Sequence, residues 1–212
     1  MKLLQINTSP ILTVEHDGKS VRTGIYKTPR IGPVAVEKLG LDGDQQADKR
    51  YHGGAHMAVY ALTREVYDHW RKADRRDDLH FGLFGENLTV ENMPDDQIHL
   101  GDRYAIGSCE FEVSLPRGPC SKLAMAVKDP GFPKRLLASL RVGFYFRVLK
   151  TGRLAAGDEI NRTHTDPHRI TIAEATETFY FKTKDPAASA RLLAVPALGP
   201  LWHRVLKERA SR

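Results

Sequence analysis

Hydrophobic periodicity changes once along this chain, near residue 162, and that change restricts the available folds more than any other feature. From Met1 to about Arg162 apolar residues come in short, often alternating runs, cut about every 8 to 12 residues by Gly, Asn, Asp or Pro, in the manner of a β barrel or sandwich. Candidate strands cover 3–8, 21–26, 34–37, 58–62, 87–90, 103–106, 109–115 and 144–149. Thr63 can cap a helix running to Ala73, with Val66 and Trp70 on its apolar stripe, and 121–127 and 133–140 read as two shorter helices. Then His164-Thr165-Asp166-Pro167-His168 reads as a turn, and helical spacing takes over in 171–181, 186–194 and 200–209. A helical appendage of about 45 residues is too small to stand alone and should pack on the β part. The expected organisation is a mainly β domain over 1–164 followed by a three-helix subdomain over 165–212.

Composition narrows the function classes. With 212 residues, 41% hydrophobic and 27% charged, the chain is globular. It holds no run near the roughly 18 apolar residues of a membrane span, and Met-Lys-Leu-Leu-Gln-Ile-Asn turns polar too early for a signal peptide, so a soluble cytoplasmic protein is expected. Thirty-two Lys and Arg against 26 Asp and Glu leave +6, which favours an anionic partner without choosing it. No dinucleotide glycine fingerprint, Walker loop or nucleophile elbow is present. A nucleic-acid module is a competing reading, motivated by the charge and by Arg204, Lys207, Arg209 and Arg212. Those residues read more simply as a solvated face opposite Trp202, Val205 and Leu206, so no stable nucleic-acid complex is expected.

Two cysteines allow neither a disulfide framework nor a four-thiolate zinc site. In the run 109–115 odd positions are apolar and even ones polar, so Cys109 should point into the core as a small hydrophobe. Cys120 follows Pro116-Arg117-Gly118-Pro119, where a strand has ended, and precedes a helix. Arg117, Lys122 and the amides of the helix start favour its anionic form, the species needed by a nucleophile or a soft metal ligand. A loop cysteine packed under a turn remains the alternative.

A long polar segment, 40–56, contains Lys49, Arg50, His52, Gly53 and Gly54. The glycine pair permits close backbone approach and can offer amides to an oxyanion, although an ordinary glycine turn has the same composition. His52 and His56 have the spacing of helical zinc ligands, but the glycines between them argue against a helix. In Phe84-Gly85-Glu86-Asn87-Leu88, Asn87 either orients a ligand or caps a turn.

Gly43-Asp44 leading to Lys49 and His52-Gly53-Gly54, then Gly85-Glu86-Asn87-Leu88, then Pro116-Arg117-x-Pro119-Cys120-x-Lys122, in that order, resemble the MOSC family, and most closely its YiiM-like branch. The helical tail also resembles that branch's three-helix extension. The resemblance implies a mainly β fold, a closed MOSC-type β barrel with peripheral helices, and a site for the molybdenum cofactor, a pterin dithiolene with a phosphate. It implies Cys120 as the metal ligand or sulfur-carrying thiol, and reduction of N-hydroxylated base analogues such as 6-N-hydroxylaminopurine. On that basis His52 is the expected proton donor and Asn87 a hydrogen-bonding site residue. Lys49, Arg117, Lys122 and Arg147, with the amides of Gly53 and Gly54, are expected around the cofactor. The chain has no flavin, haem or iron–sulfur motif, so a separate electron-donating reductase is implied. A non-redox carrier of cofactor or persulfide sulfur is the alternative, and a monomer or homodimer is expected.

Overall fold

In strand after strand the inward positions are filled by β-branched and aromatic residues, and these form one continuous core that includes Leu3, Ile6, Val90, Phe111, Phe144 and Phe146. The computed structural model describes residues 1–48 and 53–210. The strands are β1 (Lys2–Thr8), β2 (Leu12–His16), β3 (Lys19–Thr23), β4 (Thr28–Pro29), β5 (Val34–Glu37), β6 (Gly40–Leu41), β7 (Val59–Thr63), β8 (Leu88–Glu91), β9 (Arg103–Ile106), β10 (Cys109–Pro116), β11 (Phe144–Lys150), β12 (Gly152–Leu154) and β13 (Ile160–His164). The helices are α1 (Arg64–Asp74), α2 (Ser121–Val127), α3 (Phe132–Ala138), α4 (Ile172–Tyr180), α5 (Pro186–Leu193) and α6 (Pro200–Ala210).

Eight strands form one sheet in the order β13-β9-β10-β11-β7-β8-β1-β4, antiparallel except for β7 beside β8, which α1 connects as a crossover. The ladder is not closed from β13 to β4, in contrast to the expected closed barrel. Instead, the start of β1 meets the chain entering β13: Leu3 N donates to Asp158 O at 2.9 Å, Gly157 N to Leu3 O at 2.7 Å and Ile160 N to Met1 O at 3.0 Å. The sheet thus curls until its far strands touch at one end, leaving the other end for the cleft described below.

The mainly β expectation holds, with two local differences. The strand expected at 21–26 is instead the second arm of a hairpin, β2–β3, whose Asp17-Gly18 turn has positive φ at both residues, 51° and 70°. That is the type I′ geometry an Asp-Gly pair favours. Its strands are mostly exposed on both faces, so no alternation announced β2. Thr63 does precede α1, but its hydroxyl bonds the Glu65 carboxylate and not a backbone amide of the first turn.

The first two C-terminal helices start where the sequence provides acceptors: Thr171 Oγ1 accepts from Glu174 N, and Asp185 Oδ1 from Ala188 N. All three close around Phe179 and Trp202, whose rings stack 3.9 Å apart, and Arg209 lies over the Phe179 ring at 4.5 Å. Trp202 and Leu206 are buried, as the apolar stripe of the last helix requires.

Candidate active site

Where β10 ends, Pro116 stops the ladder and the chain turns through Arg117-Gly118-Pro119 to Cys120, the residue that caps α2. Cys120, Arg117 and Lys122 line a cleft of about 670 Å³, together with Asn87 from the start of β8, Tyr60 from β7 and Tyr145 from β11. Residues 44–48 form a further side. Three segments expected from sequence to share a site, around 44, 85–88 and 116–122, therefore meet at one end of the curled sheet.

The wall built on β7 and β8 is densely bonded. Asn87 Oδ1 accepts from Tyr60 N at 3.0 Å, and its Nδ2 donates to Asp44 Oδ2 at 2.9 Å and Asn7 O at 3.3 Å. Asp44 in turn accepts from Ser9 N at 2.9 Å and pairs with Lys27, both side chains nearly inaccessible. Glu86, fully buried, accepts from Tyr67 Oη, Gly82 N and Thr89 Oγ1 at 2.6 to 2.9 Å. Burial raises the Glu86 pKa, and these donors work against that rise. Asn87 has both amide protons committed, so it positions the wall, and a hydrogen bond to substrate or cofactor would have to use the second lone pair of its Oδ1.

Arg117 is different. It is only 5% exposed, yet among the described residues it has no carboxylate partner. Its guanidinium lies 5.4 Å from the Tyr60 ring centroid, and its one hydrogen bond, to Phe84 O, is long at 3.5 Å. Burial works against its charge, but the acidic groups of Tyr60, Tyr145, Cys120 and Glu86 outweigh it and raise its pKa. Tyr60 and Tyr145 are themselves kept neutral, chiefly by burial, and Tyr60 Oη donates to Val142 O. Lys122, half-buried on α2, likewise has no carboxylate partner among the described residues.

Other expected site residues lie elsewhere. Arg147 faces away from the cleft: it pairs with Glu112 at 2.7 Å, donates to Ala197 O at 2.9 Å and meets His56 Nδ1 at 2.6 Å. Cross-strand register places Glu112 opposite Arg147, so a structural ion pair takes the charge expected to hold cofactor. Gly53 and Gly54 are outside the lining; Gly54 precedes a short 3-10 helix, Ala55–Met57. Lys49 and His52 lie outside the described residues. Cys109 is buried and its thiol is pushed up to about 11 by burial, as expected of a core cysteine.

Sequence reasoning missed Tyr180. It ends α4, and its hydroxyl sits against Gly118, where an added Cβ would come within 2.6 Å of the oxygen. The helical part thus touches the loop that carries Cys120. A contact between residues this far apart leaves no local signal in the sequence.

Among the described residues no three His, Cys, Asp or Glu side chains cluster to hold a metal ion. A metal here would rest on the Cys120 thiolate with donors brought by a cofactor, and an anionic cofactor could pair with the buried Arg117, which makes no salt bridge among the described residues. The residues therefore fit such a group. Among the described residues no helix is long and apolar enough to cross a membrane.

Comparison with known proteins agrees with the fold and the motifs. The family model described as MOSC domain matches residues 48–161, and that described as YiiM-like, 3-alpha helix domain matches 170–210. YflK of Bacillus subtilis is 32% identical over 99% of this chain and 95% of its own. A Gibberella moniliformis protein named Reductase is 39% identical over 68% of this chain, which spans only 26% of that longer protein. The crystal structure of YiiM from Geobacillus stearothermophilus superposes with a TM-score of 0.85 at 31% identity, covering 99% of this chain and 98% of that one. Cleft, curled sheet and helical extension together make this chain a member of the MOSC domain family, with the YiiM-like three-helix domain at its C-terminal end.

Proposed function

We propose that this protein is a molybdenum-cofactor-dependent reductase of N-hydroxylated compounds, with Cys120 as metal ligand. The observation that carries the reading is the buried Arg117, which makes no salt bridge among the described residues, beside Cys120 in one cleft. The fungal relative named Reductase supports the reaction class, and membership of the MOSC domain family supports the cofactor. When bound, the cofactor supplies two-electron redox chemistry at its metal.

The chain's own groups have narrower tasks. Arg117 and Lys122 bind the cofactor's anionic portion, the first as a fixed charge in a dry wall and the second from the exposed side. Tyr60 stacks on the guanidinium and Gly143 O accepts from Arg117 N at 3.1 Å, so the loop is held from behind. His52 is assigned as proton donor to the departing oxygen. Conversion of N–OH to N–H consumes two electrons and two protons and releases water; the electrons come from a separate reductase, since the chain carries no second redox motif.

Metal content and turnover test this together. Protein produced in cells that make the cofactor should contain molybdenum and reduce 6-N-hydroxylaminopurine with a chemical electron donor. Cys120→Ala should lose both, and Cys109→Ala should retain both. Equal molybdenum in wild type and Cys120→Ala would defeat the ligand assignment. Molybdenum bound through Cys120 without turnover would favour the carrier role instead.

A further inference from the structure

Cys120 belongs to two hollows at once. Besides the cleft already described it lines a wider groove of about 1710 Å³, open to solvent, between the β2–β3 hairpin turn and helices α2 and α3. No other residue is common to the linings of the two. Residue 120 therefore lies between the two hollows.

The chambers differ in chemistry. The inner one brings Lys27, Arg117 and Lys122 against Asp44 and Asp48, an excess of positive charge with the buried Arg117 at its centre. The outer one has Lys128 and Lys134 against Glu15 and Asp17, which balance, and its base is apolar, from Ala124, Met125 and Leu137. Pro119 and Pro133 stiffen its walls, and Tyr26 offers a ring at its edge. A charge-neutral, apolar-floored groove with an aromatic rim suits a flat uncharged molecule, for which ring stacking and sulfur–aromatic contact with Met125 replace ion pairing.

We propose that the outer groove is the substrate site, taking a neutral N-hydroxylated heteroaromatic base with its N–OH edge turned toward Cys120, while the inner cleft holds the anionic cofactor. This rests on the reading that Cys120 carries the metal, because residue 120 borders both hollows and a base in the outer groove can then reach past it to the reactive centre. It gives a task to a hairpin whose strands contribute almost nothing to the core: its turn forms the far wall of the groove. It also sets specificity, since a phosphorylated nucleotide gains nothing from a balanced groove and must shed hydration to enter it.

Binding is measured without turnover, by equilibrium dialysis of 6-N-hydroxylaminopurine and of its ribonucleoside 5′-monophosphate against the cofactor-loaded protein, with molybdenum counted in parallel. Ala124→Trp fills the groove from α2 and Lys134→Trp from the exposed face of α3; near-ultraviolet circular dichroism reports whether each is folded. The expected result is weaker binding of the base by about tenfold or more in both variants, with molybdenum unchanged. The monophosphate should bind wild type no more tightly than the base. Base binding equal to wild type in a folded variant would overturn the proposal, and so would tighter binding of the monophosphate. Unchanged base binding with loss of reductase-driven turnover would assign the groove to the electron donor and overturn it as well. Absence of molybdenum from wild type would count against the reading of Cys120, whereas the preformed groove would still bind the base or fail to.

Discussion

In the β7–β8 wall of the cleft, Asn87, Asp44 and Glu86 give their polar atoms close protein partners; Arg117, which leans on the same wall through the Tyr60 ring, is as deeply buried but makes no salt bridge among the described residues. The first arrangement suits a scaffold, whose bonds must be complete because water cannot reach them. The second costs stability in the ligand-free protein and gains meaning only when an anion arrives. A buried polar group thus signals function by what it lacks.

The largest effect should come from the first arrangement. Asn87→Ala leaves Tyr60 N, Asn7 O and one Asp44 oxygen without their partner, all buried, and should cost on the order of 3 to 5 kcal/mol in urea unfolding. A loss below about 1 kcal/mol would mean that this wall is hydrated, and would remove the contrast between the two arrangements.

Asp95 cuts across the comparison, because it belongs to the scaffold and is only half satisfied. Its Oδ1 accepts from Val142 N at 2.9 Å and Gly143 N at 2.7 Å, gripping the turn behind Arg117, while its buried Oδ2 has no partner among the described residues. Burial raises its pKa to about 7 against those two donors. In the folded state it therefore keeps its proton where the unfolded chain has released it. Its contribution to stability is fully present below about pH 4 and is lost as pH rises to about 7, a slope opposite to that of a salt-bridged carboxylate. Wild type should lose on the order of 2 to 4 kcal/mol relative to Asp95→Asn across that interval, with little further change above pH 8. Parallel pH profiles for the two proteins would show that the carboxyl is ionised in the fold.

Arg117→Met tests the second arrangement. Replacing a buried cation that makes no salt bridge by an apolar chain of similar length should leave stability within about 1 kcal/mol of wild type, while retained molybdenum falls by about tenfold. A large destabilisation with normal metal retention would turn Arg117 into scaffold and erase the distinction on which the proposed function rests.

How far the sequence revealed all this depended on range. Local patterns were legible: β10 and β11, the ranges of α4 and α5, and the burial of Cys109 follow from alternation and helical spacing. The cleft's cysteine and its arginine neighbour were legible as motif residues within one short loop. Pairings across the fold were not. Arg147 carries the same charge as Arg117, and nothing near it in sequence says that Glu112 lies opposite it on the next strand. Nor does the sequence around Asn87 say that Tyr60, Asn7 and Asp44 bond its amide. Strand β2 failed for a different reason, since a ribbon exposed on both faces has no core to impose alternation on it.

The smallest effect joins the helical extension to the site. Gly118 has no positive φ to demand glycine, so any cost of a methyl group there comes from its neighbour, the Tyr180 hydroxyl at 2.6 Å from the added carbon; the next Tyr180 atom lies at 3.8 Å, ordinary contact distance. Gly118→Ala should therefore destabilise by about 1 kcal/mol and loosen the Arg117–Cys120 loop, and adding Tyr180→Phe should recover most of that loss. Coupling of this sign in a double-mutant cycle means the extension bears directly on the loop that carries the thiol. Additive effects would mean that loop and extension are independent, and the loop could then be compared with the β7–β8 wall within the β sheet alone.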